Sequence, residues 1–81
     1  MPNGLNNWTY KDLTSFLKEN GFEFLEFRKG SHEAWLNEKT SAVVEINVHG
    51  SKSFVLRTLE TMIRQSKIDK KVWRDWASSK K

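Results

Sequence analysis

Three strand-like runs joined by two short polar connections constrain this chain more than any other feature. The runs are Phe22 to Arg28, His32 to Glu38 and Ala42 to His49. The connections are Lys29-Gly30-Ser31 and the polar segment Asn37-Glu38-Lys39-Thr40-Ser41, which reads as a hairpin loop. Parallel pairing requires a crossover of about a dozen residues or more, so connections this short predict an antiparallel meander. The third run is the clearest strand: Val44, Ile46 and Val48 share one face, and Glu45, Asn47 and His49 the other. The second run leaves two choices, with either Trp35 or the Ala34/Leu36 pair turned to the core. The first is aromatic and mostly alternating. Its Phe24-Leu25 step and the outlying Phe27 break the period of two, which indicates either a bulge or a two-sided strand.

Helical signals flank the meander. Thr9 and Asp12 stand at capping-box spacing, with Trp8 and Leu13 placed as a hydrophobic staple. Tyr10, Leu13, Phe16 and Leu17 then share a helical face, and Asn20-Gly21 is a stop signal. A second helix is predicted from Val55 to Ser66, with Val55, Leu56, Leu59, Met62 and Ile63 as its apolar stripe. A short third helix is predicted from Asp69, with Ile68 and Trp73 at staple spacing and Val72, Trp73 and Trp76 as its apolar face. The resulting order is α-β-β-β-α plus a C-terminal helix. It predicts an α+β two-layer domain with the helices on one face of a three-stranded antiparallel sheet. Residues 1–7 read as a flexible leader, 8–68 as the domain and 69–81 as a helical extension.

Composition narrows the function classes. Eighty-one residues suffice for one modest core. The absence of cysteine excludes disulfides, thiolate metal sites and cysteine nucleophiles. No apolar run approaches the ~18 residues that span a bilayer, and the polar start lacks the pattern of a secretion signal. A cytoplasmic location is expected. Charge is polarised: residues 1–49 carry five Lys and Arg against seven Asp and Glu, and residues 50–81 carry nine against three. The basic second half suits a polyanion or an acidic partner.

Four segments in order resemble the HicA toxin family, small mRNA interferases of type II toxin–antitoxin pairs. They are Leu17-Lys18-Glu19-Asn20-Gly21-Phe22, Lys29-Gly30-Ser31-His32, Val48-His49-Gly50-Ser51-Lys52, and a helical pattern of Thr58-Leu59, Ile63-Arg64-Gln65 and Ile68. The resemblance covers roughly residues 10–70. It implies a fold like that of double-stranded RNA-binding domains, metal-independent cleavage of mRNA centred on His32, and neutralisation by a HicB-type antitoxin. The free protein is then expected as a monomer and the neutralised one as a hetero-oligomer.

The residue chemistry is consistent with that expectation. RNA carries its own nucleophile, the 2′-OH, so cleavage needs a proton acceptor, a proton donor and stabilisation of the phosphorane. Histidine exchanges protons near neutral pH, and His32 suits either role. His49 is a candidate second group. Arg28, Lys29 and Lys52 are candidates to hold phosphate, and the Gly30-Ser31 turn offers backbone N–H groups to an anion. Arg57, with Lys52, is a candidate RNA contact at the second helix. Glu33 follows His32 directly and is expected beside the site, where a carboxylate either repels RNA or orients the imidazole. Trp73 and Trp76 read either as anchors for a partner or as packing for the last helix. No metal-ligand spacing, phosphate loop or dinucleotide fingerprint is present, so no cofactor is expected. A non-catalytic RNA-binding module and a protein-interaction module are the competing readings.

Overall fold

The computed structural model describes residues 4–48 and 53–79. Its elements are α1 (Tyr10–Glu19), β1 (Phe22–Arg28), β2 (His32–Asn37), β3 (Ala42–Asn47), α2 (Leu56–Ser66) and α3 (Lys70–Ser79). The sheet is antiparallel with order β1-β2-β3, as the short connections require.

Local chemistry sets the helix ends. Thr9 and Asp12 form the reciprocal capping box, with the Thr9 N–H donating to Asp12 Oδ2 and the Asp12 N–H to Thr9 Oγ1. At the other end of α1, Gly21 adopts φ +89°, a left-handed conformation that glycine takes without steric cost. Asn37 is buried and ties that end to the sheet. Its Nδ2 donates to the Asn20 carbonyl and its Oδ1 accepts from the Lys39 N–H. At α3, the Asp69 side chain accepts from the Lys71 N–H, acting as the cap from just outside the helix.

Cross-strand partners in an antiparallel sheet point the same way, so the register sorts the side chains into two faces. Trp35 pairs with Val44, Glu33 with Ile46 and Asn37 with Ala42. Together with Phe22, these residues face the helices, and Trp35, Val44, Ile46, Ala42 and Phe22 join the core. Of the two choices for the second strand, Trp35 is therefore the core residue. Ala34 is buried too, on the opposite face, between its register partners Glu26 and Glu45. The irregularity in β1 is a bulge: Phe24 pairs with Trp35 but Glu26 with Ala34, leaving Leu25 as the extra residue. Past Leu25 the alternation is reversed. Phe27 lies on the helix face and Arg28 on the open one.

The core is strongly aromatic. Trp8, Phe16 and Trp73 are fully buried, and Trp73 lies 4.3 Å from Phe16 and 5.3 Å from Trp8 between ring centroids. Trp76 is half-buried, 5.1 Å from Trp8, and its Nε1 donates to Glu19. Residues 69–79 are thus a wall of the core rather than an appended extension. Likewise the expected leader is tied down from residue 4. Leu5 is buried in the core, and the Trp8 Nε1 donates to the Gly4 carbonyl.

The Trp73 Nε1 is buried with no acceptor among the described residues, a desolvation cost of about 1–3 kcal/mol. Replacing Trp73 by alanine removes the ring that joins α3 to α1 and costs about 3–5 kcal/mol. Trp73→Phe keeps most of the ring volume and removes the orphan donor, so its loss is much smaller. Urea unfolding followed by circular dichroism measures both. Equal losses would show that the ring's packing is not what holds α3.

Candidate functional site

The turn Lys29-Gly30-Ser31 brings His32 to the start of β2, directly opposite Arg28 on β1 and Asn47 on β3. Gly30 takes φ +72°, so the turn depends on glycine there. The Val48 N–H donates to the Ser31 carbonyl at 3.1 Å, and the Ser31 hydroxyl approaches the Asn47 side chain at 3.5 Å. The end of β3 is thereby fastened to the turn that carries His32.

His32 lies on the open face of the sheet, away from the helices, with 43% of its side chain exposed. Its Nδ1 is 4.0 Å from Glu45 Oε1, a separation suited to an ion pair once the imidazole is protonated. The second oxygen of Glu45 accepts from Arg28 Nη1 at 2.8 Å, and the Arg28 Nε donates to Glu26 at 3.1 Å. These bonds raise the guanidinium pKa above its ordinary value, Glu45 contributing most and Glu26 next. One carboxylate therefore links the candidate acid–base group to the candidate phosphate ligand. It leaves Nε2 as the imidazole nitrogen turned away from Glu45.

The structure groups some of the candidates and separates others. Arg28 and His32 meet, and Lys29, Gly30 and Ser31 form the adjoining exposed turn. His49 and Lys52 lie outside the described residues. Arg57 is exposed in the first turn of α2, the helix packed on β3 from the opposite face. Trp73 is enclosed by Trp8 and Phe16 and has no surface to offer a partner. It packs the last helix. Trp76 keeps a partly exposed ring. Among the described residues no group of three or more His, Asp or Glu side chains is placed to hold a metal ion. No described helix is long and apolar enough to cross a membrane.

Glu33 is not beside His32. It occupies the helix face, nearly buried, where its Oε1 accepts from the Tyr10 hydroxyl at 2.8 Å and the Trp35 Nε1 at 3.0 Å. Adjacent strand residues point to opposite faces, so the carboxylate that sequence places next to the histidine acts across the sheet from it. The carboxylates of the cluster, Glu45 beside His32 and Glu26 bonded to Arg28, were not singled out by sequence. Glu45 was visible on the polar face of its strand, but the pairing register was not.

Comparisons of the chain with protein-family models, with curated proteins and with solved structures each found no match.

The Tyr10–Glu33 bond gives a direct spectroscopic test. Burial first, then the hydrogen bond and the negative charge of Glu33, push the Tyr10 phenol up to about 12. A raised phenol keeps its proton in the folded state where the unfolded chain loses it. The stabilisation is therefore complete below pH 10.0, the ordinary value, and is lost as pH rises through about 12. Tyr10 is the sole tyrosine, so tyrosinate absorbance reports it alone. The midpoint is expected near 12 in the wild type and lower in Glu33→Gln. An unchanged midpoint in the variant would refute the contact.

Proposed function

We propose that this protein is a HicA-like endoribonuclease that cleaves mRNA through His32 without a metal ion. The observation that supports this most is the fastening of the Gly30-Ser31-His32 turn to Val48, the one described residue of the segment Val48-His49-Gly50-Ser51-Lys52. The Gly30-Ser31-His32 turn and the end of β3 at Val48 are bound together by the Ser31–Val48 hydrogen bond. That union holds an exposed imidazole at a strand start, with an arginine opposite it.

The reaction follows from RNA chemistry. The 2′-OH loses a proton and its oxygen attacks the adjacent phosphorus. The bond to the 5′-oxygen breaks, and that oxygen takes up a proton. The products are a 2′,3′-cyclic phosphate and a 5′-hydroxyl end, with no water consumed. His32 Nε2, turned away from Glu45, is the nitrogen that exchanges a proton with one of these oxygens. Glu45, whose Oε1 lies 4.0 Å from Nδ1, positions the ring. Lys29, and Arg28 when released from its carboxylates, supply positive charge for the phosphorane. In this reading the protein acts in the cytoplasm and is neutralised by a HicB-type antitoxin that covers the exposed His32 face.

The test is cleavage of single-stranded RNA in the presence of a chelator. The wild type is expected to give 2′,3′-cyclic ends and to leave 2′-O-methyl RNA intact. His32→Ala is expected to lose about 10²–10⁴-fold in rate, the range for a general acid or base, and to relieve the growth arrest caused by expressing the wild type. A folded wild type that binds RNA but cleaves none would replace this reading with the non-catalytic RNA-binding module. Harmlessness of both proteins with no RNA binding would remove RNA from the account.

A further inference from the structure

The helix side of the sheet carries a second feature that His32 chemistry does not use. Between α1 and β1 lies an open groove of about 350 Å³. It is lined by Tyr10, Thr14 and Lys18 from α1, Phe24 and Phe27 from β1, and Glu33 and Trp35 from β2. Phe27 is 71% exposed and Phe24 44%, although both stand on the face that the helices cover elsewhere. The rings are not stacked flat. Phe24 meets Phe27 at 63° and Trp35 at 78°, with centroids 5.1 and 6.0 Å apart, so they form angled walls.

At the floor is a carboxylate with 9% of its residue surface accessible. Both hydrogen bonds to Glu33 come from neutral donors and end on the same oxygen, Oε1. Among the described residues no cation pairs with it. A nearly buried anion without a counter-charge is costly unless a positive group joins it. Aromatic faces attract cations as well, and Lys18, itself one of the lining residues, has its Nζ 5.8 Å from the centre of the Trp35 ring.

We propose that this groove is a binding site for the arginine or lysine side chain of a protein partner, with the aromatic walls around the cation and Glu33 as its counter-ion. The partner is a polypeptide because the groove runs along β1. That strand is an edge of the sheet, pairs among the described residues only with β2, and is exposed at every position after Phe22. An extended chain laid there adds main-chain hydrogen bonds that an isolated cation cannot make. A nucleic acid is disfavoured because its phosphates would approach the Glu33 charge. The site is separate from the nuclease reading and stands or falls without it.

The experiment is a nuclear magnetic resonance titration of the full chain with a short blocked peptide having one central arginine between valine and threonine residues. The control is the same peptide with neutral citrulline. The arginine peptide is expected to shift the Trp35 indole N–H, the Phe24 and Phe27 ring protons and the β1 amides. Glu33→Gln exchanges a charged hydrogen bond for a neutral one and should weaken binding about tenfold. Phe27→Ala alters an exposed residue, keeps the fold, and should weaken binding severalfold. Equal binding of the citrulline peptide, or no effect of Phe27→Ala, would overturn the cation site. Blocked arginine binding as tightly as the peptide would overturn the polypeptide partner. Displacement of the peptide by an oligonucleotide from these same resonances would assign the groove to nucleic acid instead.

Discussion

One extra residue in an edge strand governs both faces of this sheet. Up to Phe24, β1 alternates in step with β2, and Leu25 then breaks the count. Without that bulge, Arg28 and Glu26 would point toward the helices and Phe27 toward the open face. With it, Arg28 stands opposite His32, and Phe27 joins Phe24 beside Trp35. A bulge costs a ladder hydrogen bond and re-aims the side chains beyond it. Here the same displacement completes the polar cluster on one side and the aromatic groove on the other. The two are therefore coupled: a change that removed the bulge would dismantle both.

The rigidity that holds this sheet comes from the opposite side. Trp8 precedes α1, Trp73 lies in α3, and both meet Phe16, so three separate stretches of chain share one aromatic cluster. The Phe54 N–H donates to the Trp8 carbonyl, which ties the approach to α2 into the same place. Large rings bury much area for few ordered torsions, an effective solution for a chain of this size. It also explains why the N-terminal turn and the last helix belong to the domain. Each supplies a surface of the cluster that would otherwise be wet.

Much of this was legible in the sequence, for reasons that can be named. Local signals were reliable: the Thr9–Asp12 capping box, the Gly21 stop and the alternation of Val44 and Ile46 all rest on contacts within a few residues. The sequence posed the alternatives for β1 and for Trp35 without deciding them, because the decision lies in cross-strand register. Glu33 was placed beside His32 by sequence adjacency, but alternation along β2 turns it to the helix face, where it meets Trp35 of the same strand and Tyr10 of α1. The unknown register also hid Glu45, seventeen residues from Arg28 along the chain and 2.8 Å from it in space. Trp73 had two roles open to it, and only the packing of Phe16 and Trp8 against it selects the structural one.

The proposed nuclease reading requires the charge around His32 to be compatible with a polyanionic substrate. Arg28 is compensated twice over, by Glu26 and Glu45, so the open face near the imidazole is not a ready-made phosphate clamp. Both ion pairs are largely exposed, however, and exposed pairs contribute little to stability because water screens them and long side chains must be ordered to make them. A phosphate offers the same guanidinium a bidentate partner of equal or higher charge. Exchange of a carboxylate for a phosphate is therefore a small step for Arg28, and it has a consequence for its neighbour. When Arg28 leaves Glu45, that carboxylate loses its only compensating cation among the described residues and faces His32 Nδ1 alone.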